Sequence, residues 1–204
     1  MKKQVKKEHY NFEKYVNKER FMSYYYQLKI IYDIDPKNIL EIGVGNNFLK
    51  KVLSDKYLYK TLDFDKSLKP DIYGSVTNIP IKDNSFDLVA CFQVLEHLPF
   101  DQFEKSLKEL SRVSRKHVIL SLPYANFSFI FLTRIVSLGK LYFNLSIPKF
   151  YRTHKFDGQH YWEIGSKGYP ISKIRKILEK YFTIHDVIHP IENKYHIFFV
   201  LKKK

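Results

Sequence analysis

Asn38-Ile39-Leu40-Glu41-Ile42-Gly43-Val44-Gly45-Asn46-Asn47-Phe48 is the stretch on which the reading of this chain turns. Apolar residues run into an acid and two glycines, and a helical pattern follows: a strand that ends in a tight loop and opens a helix. Glycine permits a sharp turn and lets the backbone approach a ligand, because no Cβ stands in the way. The free N–H groups at the start of the next helix point toward the same place. The loop therefore predicts a nucleotide-type cofactor. Glu41 narrows the choice, because a carboxylate at the strand tip repels a pyrophosphate and suits a cofactor bearing an amino group or a sulfonium.

Downstream, Tyr57 to Asp63 reads as a second strand that closes on Leu62-Asp63-Phe64-Asp65. An acid about 20 residues beyond the glycines is placed to hold a ribose hydroxyl pair. Asp63 meets that spacing from Gly43, with Asp65 as the alternative. Only Lys66-Ser67-Leu68-Lys69-Pro70 separates this pair from Asp71-Ile72-Tyr73, too few residues for a helical crossover. The third strand is thus expected to be stunted or at an edge. Ser85 to Phe92 reads as a buried strand, and Gln93 to Pro99 follows at its carboxyl edge, where open α/β sheets bind ligands. Phe103, Leu107 and Leu110 mark a helix, and Lys116 to Leu122 another strand, ended by Pro123. Upstream, residues 1–9 read as a frayed lysine-rich tail, and Tyr10 to Tyr32 as one or two amphipathic helices broken at Asp35-Pro36. Residues 1–37 thus form an N-terminal helical extension.

A chain of 204 residues suits one domain, spanning 1–204. Its one cysteine, Cys91, allows no intramolecular disulfide and no Cys-based zinc site, and the N-terminus shows no apolar signal region; a reducing, cytoplasmic setting is expected. The net charge is +14, and residues 140–204 alone carry 13 basic and 5 acidic side chains. Nucleic acid, an anionic membrane surface, a phosphorylated substrate or simply solvated lysines would each answer that charge. There is no recognition helix and no RNA-binding motif, so specific nucleic-acid binding is not expected.

In residues 124–150, Phe127, Ile130, Phe131, Ile135, Leu138, Leu141, Tyr142 and Leu145 follow a helical step, while Phe129, Leu132, Val136 and Phe143 cover other faces. A helix apolar all round must be buried. The expectation is a helical lid, with a homodimer interface or contact with the periphery of a membrane as alternatives. Arg134 and Lys140 interrupt the run, leaving it too short to span a bilayer. Residues 151–169 carry His154, Asp157, His160, Tyr161, Trp162 and Glu163. Imidazole takes a proton near neutral pH, so His160 could serve in acid–base chemistry, with anchoring of the loop by hydrogen bonds as the alternative. The spacing of these groups matches no metal motif, so no metal is expected. Glu96-His97 reads more readily as loop packing than as a catalytic pair.

Taken in order, Glu41-x-Gly43-x-Gly45, Leu62-Asp63, Ile79-Pro80-x-x-x-x-Ser85-Phe86-Asp87-Leu88-Val89 and Val94-Leu95-Glu96-His97-Leu98 resemble the class I S-adenosylmethionine (SAM)-dependent methyltransferases, the type 11 methyltransferase domain in particular. The resemblance covers about residues 38–123, more weakly 160–201. It implies an α/β, Rossmann-like sheet of seven strands, mostly parallel with a reversed last strand, the final two at Thr183–His189 and Tyr195–Leu201. It implies SAM as cofactor and S-adenosylhomocysteine as product. Glu41 would then sit near the methionine amino group, Gly43, Gly45 and Asn46 would line the cofactor, and Asp63 would hold the ribose beside Phe64. Ser75 and Val76 would border the adenine, and Gln93 would form the floor. Asn47 and Ser75 depart from the usual glycine and acid. The resemblance also implies an acceptor-side loop at 151–169, which makes His160 and Glu163 the acid–base candidates. The acceptor implied by an apolar lid at 124–150, within a lid and acceptor-side insertion over 124–169, is a small molecule, free or glycan- or lipid-linked, touching Phe127, Phe131, Tyr142 and His160. An RNA methyltransferase and a noncatalytic SAM-binding protein on the same fold are the alternatives.

Overall fold

The structure is a computed structural model, and it describes residues 4, 5, 7–135 and 139–204. Strand β1 (Asn38–Ile42) is the hub of a seven-stranded sheet. It pairs in parallel with β2 (Leu58–Asp63) on one side and with β4 (Phe86–Phe92) on the other. The two-residue β3 (Ile72–Tyr73) forms one edge beyond β2, as the short preceding link requires. On the far side β5 (Ser114–Pro123) pairs in parallel with β4. The chain then returns as β8 (Phe182–Ile188) and β9 (His196–Lys203), and β9 inserts antiparallel between β5 and β8. This is the expected mostly parallel sheet with its last strand reversed.

Both faces of the sheet are covered, which explains the near-continuous apolar runs of the central strands. Ile39, Leu88, Ile119 and Phe198 face Ile30 and Ile31 of α2 (Lys18–Ile34) and Leu49 and Leu53 of α3 (Phe48–Leu53). Leu40, Val89, Val118 and Phe199 face the other layer, built from α4 (Phe103–Val113) and α5 (Ile171–Leu178) with the fully buried Trp162. A four-residue α1 (Phe12–Tyr15) precedes α2. Helix α2 starts at Asn17, whose side-chain oxygen accepts the Arg20 N–H at 2.8 Å, and stops at Asp35 in the left-handed region just before Pro36.

The helical lid expected in residues 124–150 is not what forms. Strands β6 (Asn126–Ile135) and β7 (Gly139–Pro148) make an antiparallel hairpin separate from the main sheet. The physical reason lies in the sequence itself: Phe127-Ser128-Phe129 and Phe143-Asn144-Leu145-Ser146-Ile147 alternate with a period of two, in a segment rich in aromatic and β-branched residues. In the pairing, Phe127 lies opposite Ile147, Phe129 opposite Leu145 and Phe131 opposite Phe143. These six side chains share one face of the ribbon and all are exposed. Tyr142 takes part in the backbone pairing, but its side chain, like all of Val136 and Leu138, lies outside the described residues. Among the described residues no helix is long and apolar enough to cross a membrane.

Candidate functional site

The carboxyl ends of β1, β2 and β4 open into a cleft continuous with solvent. Its lining includes Gly43, Gly45, Asp63, Phe64, Val76, Gln93 and His97. An adjoining recess is bordered by Glu41, Gly45, Asn46 and Gln93. Eight of the nine residues assigned to the cofactor thus border these two recesses, which share Gly43, Gly45 and Gln93 in their lining. The ninth, Ser75, sits between the lining residues Gly74 and Val76, with its hydroxyl 2.9 Å from that of Thr77.

The glycine loop is built for close approach. Gly43 adopts φ +86°, and a Cβ there would lie 2.6 Å from Cγ2 of Val94. Gly45 adopts φ +53°, and a Cβ there would meet nothing within 4 Å, so the loop faces free space. Asn47 takes the left-handed conformation at φ 59°, the role a third glycine would fill, as asparagine tolerates. Asn46 uses its side-chain oxygen locally, accepting the Phe48 N–H at 3.1 Å.

Glu41 is buried, and Tyr59 donates its hydroxyl to Oε2 at 3.0 Å. Burial pushes its pKa up to about 8, against the lowering effect of that hydrogen bond. Such a carboxyl gains from a cation placed beside it. Asp63, also buried, accepts the Val44 N–H at 2.9 Å through Oδ2 and the Asp65 N–H at 2.8 Å through Oδ1. Burial raises its pKa, while those backbone hydrogen bonds oppose the rise. A carboxylate offers about four lone-pair sites, so acceptor capacity remains for a ribose hydroxyl. Asp65 instead caps the following turn through the Ser67 N–H at 2.9 Å. A buried acid awaiting a cation, an open glycine loop and a carboxylate with spare acceptors fit a cofactor that is cationic at one end and carries a ribose.

Next to His97 at the cleft wall lies a polar corner. His160 Nδ1 is 3.3 Å from Glu163 Oε1, so the two predicted acid–base residues do meet. Tyr195 joins them: its hydroxyl bonds to Glu163 and lies 3.2 Å from His160 Nδ1. Burial works to lower the His160 pKa, but the Glu163 hydrogen bond and the charges of Glu96 and Asp157 outweigh it, and the net shift is upward. Burial works to raise the Glu163 pKa, and the hydrogen bonds from His160 and Tyr195 overcome it, holding the acid down. The His97 ring packs edge-on against His160 with centroids 4.9 Å apart. Burial, reinforced by His160, pushes the His97 pKa down to about 4. Burial pushes the pKa of the fully enclosed Glu96 up to about 7. Gln93, with its oxygen accepting the Ser121 hydroxyl and the Leu122 N–H at 3.1 Å, donates its amide to Glu96 Oε1 at 3.2 Å.

Two expectations need correction here. Phe127 and Phe131 are each 56% exposed on the hairpin and do not border the cleft, so no lid closes over it through them. The described part of residues 1–9 is not simply a frayed tail: Gln4 and Val5 line the cleft with Tyr10 and Tyr15, and Gln4 Nε2 donates to the His97 carbonyl at 3.1 Å. Sequence reasoning also missed Tyr195, which has no motif of its own and reaches the corner only because β9 inserts beside β5. It set Glu96 and His97 aside, although their position just after a buried strand was the available signal.

Residues 40–122 match the family described as a methyltransferase domain. An uncharacterised protein of Methanocaldococcus jannaschii is 34% identical over 85 residues, covering 38% of this chain and 36% of the relative, so only about a third of that protein is matched. A crystal structure from Pyrococcus horikoshii aligns at a TM-score of 0.63 with 13% identity, covering 98% of this chain and 100% of the other. The N-methyltransferase NodS of Bradyrhizobium japonicum, solved with S-adenosylhomocysteine, aligns at 0.56 with 11% identity over 92% and 88% of the two chains. The 1,6-didemethyltoxoflavin-N1-methyltransferase of Burkholderia thailandensis, solved with bound 1,6-didemethyltoxoflavin and S-adenosylhomocysteine, aligns at 0.56 with 13% identity over 91% and 86%. At these identities the structural likenesses speak for the fold.

Proposed function

From the match of residues 40–122 to a methyltransferase domain, we propose that the chain is a methyltransferase that moves a methyl group from SAM to a small-molecule acceptor held at the polar corner beside His97. The observation that carries this reading is the gathering of Glu41, Gly45, Asp63 and Gln93 around a cleft and its adjoining recess, with His97 in the cleft lining beside that corner. Glu41 would receive the cofactor's amino group, Asp63 its ribose hydroxyls, and Phe64, Ser75 and Val76 the surroundings of the base. When bound, the cofactor supplies an electrophilic methyl carbon together with its own leaving group.

The protein's remaining work is alignment and exclusion of water. Tyr10, Tyr15 and the Gln4 contact to His97 roof the cleft from the N-terminal side. At the corner, His160 and Glu163 draw off the proton of an acceptor hydroxyl or amine, Tyr195 holding Glu163 in place. The hairpin springs from the same sheet edge: Asn126 Nδ2 donates to the Tyr124 and Lys194 carbonyls at 2.8 and 2.7 Å, next to Tyr195. Its apolar face would guide an acceptor with an apolar or lipid-linked portion, with Phe127 and Phe131 as outer contacts rather than as a lid.

Calorimetric titration with SAM and with S-adenosylhomocysteine tests the reading first. Saturable binding of both, followed by transfer of labelled methyl into a small-molecule or lipid fraction, is the expected result. No binding of either would make this a noncatalytic protein on the fold. Label entering RNA, with a complex that survives high salt, would replace the small-molecule acceptor by RNA.

A further inference from the structure

Three ligand-type side chains meet at the corner although they are distant in sequence. Glu96 offers a carboxylate oxygen, and His97 and His160 each a ring nitrogen, all within 4.8 Å of one another. Glu96 is fully enclosed, and its Oε2 has no hydrogen-bond partner among the described residues. A buried carboxylate oxygen without a partner is costly and points to a missing ligand. We propose that Glu96, His97 and His160 form a binding site for one divalent first-row transition-metal ion at the wall of the cofactor cleft.

The surroundings of the two histidines favour this use. His97 Nδ1 lies 3.0 Å from the Gln159 carbonyl and 2.7 Å from Gln4 Oε1, so it carries the proton and leaves the Nε2 lone pair free. His160 Nδ1 faces Glu163 at 3.3 Å, which leaves its Nε2 in the same way. A carboxylate or carbonyl behind each ligating imidazole is the usual support of a metal site, fixing the tautomer and raising basicity. Two imidazoles and one carboxylate suit manganese, iron, cobalt or zinc, whereas calcium and magnesium prefer oxygen alone. Bonds of about 2.0–2.2 Å place ligand atoms no more than about 4.4 Å apart, so an inward shift of a few tenths of an ångström closes the site. Three protein ligands leave positions open for an exogenous oxygen or nitrogen. The ion's use in catalysis rests on the methyltransferase reading: a coordinated acceptor hydroxyl or amine is acidified and loses its proton to water. In the metal-bound form this route replaces proton transfer to His160 and Glu163, and His160 contributes as a ligand.

The test uses the full chain stripped with a chelator and titrated with Co²⁺ and Zn²⁺. One equivalent should bind, with visible cobalt absorption. In the unmodified protein, zinc should shift the Nε2 resonances of His97 and His160 and leave those of the exposed His185 in place. Glu96→Gln and His160→Ala should each weaken cobalt binding by more than tenfold, Glu163→Gln by about 10–100-fold as a supporting residue, and His185→Ala not at all. Absent stoichiometric binding, shifts confined to other histidines, or affinity unchanged in folded Glu96→Gln would overturn the site. SAM titration of the same stripped protein separates the two readings: cofactor binding without metal binding defeats only the ion site, and the reverse defeats only the cofactor assignment.

Discussion

Replacing Glu41 by glutamine should flatten the pH dependence of cofactor affinity. Burial pushes this carboxyl up to about 8 in the free protein. At pH 7 it is therefore about nine-tenths protonated. An ammonium group placed beside it requires the carboxylate, so binding expels most of one proton at that pH. Affinity for SAM should rise about 25-fold between pH 5.5 and 7, after allowing for the ligand's own amino group with a pKa of about 7.7–8.0. Above pH 8 the ligand loses its charge and the curve turns over. The substituted amide would keep the shape and the Tyr59 neighbour but remove the titration, leaving a weaker and nearly pH-independent affinity. Calorimetry in two buffers of different ionisation enthalpy counts the protons released. An unchanged pH profile in folded Glu41→Gln, with no proton released by the wild type at pH 7, would refute the placement of the amino group.

Asp63→Ala should weaken SAM binding by about 1–3 kcal/mol, the scale of charge-assisted hydrogen bonds, read by the same titration; unchanged affinity would sink the ribose assignment. Gly43→Val should abolish binding, because the loop would have to leave φ +86° and push against Val94; circular dichroism distinguishes a lost site from a lost fold. His196 is a stability probe: burial pushes its pKa down to about 3, with Ser23 Oγ 2.8 Å from Nδ1. The unfolded chain binds the proton near pH 6.5, so stability is lost as pH falls below that value. The unfolding free energy should drop by about 2 kcal/mol between pH 8 and 5 through this group, a slope missing in His196→Gln during urea titration. Exchanging residues 126–145 for a Gly/Ser linker should spare SAM binding and impair methyl transfer; retained turnover would assign the hairpin to an interface or a membrane surface, separable by mass against concentration and by liposome flotation.

The sheet was legible because its signals are local. The glycine loop, the acid closing β2, the short link into β3 and the apolar run of β4 each act within a few residues, and together they place Glu41, Asp63 and Gln93 on one edge. The hairpin was misread because so many of its residues are apolar that a helical count found matches, while the weaker two-residue alternation of Phe127, Phe129 and Phe131 carried the true period. The corner was only half legible. His160 and Glu163 are three apart and were paired, but Glu96 and His97 reach them across more than sixty residues, and Tyr195 comes from the turn before β9, a strand whose position depends on the topology. No spacing rule spans such separations. Exposure was equally hidden: an apolar segment says that it should be covered, not whether it is.

The placement of β9 also bears on how the protein is made. Pro123 pairs with His196, and about 70 residues lie between them. At roughly 5–20 residues per second, the outer edge of β5 waits about 4–15 seconds on the ribosome before its neighbour is synthesised. During that interval a row of unpaired backbone groups beside Val118, Leu120 and Leu122 is open, and the exposed phenylalanines of β6 have already emerged. Chaperone demand during translation should therefore peak between the appearance of β5 and that of β9, and slowing elongation across residues 124–195 should lower the soluble yield more than slowing it across the first 90.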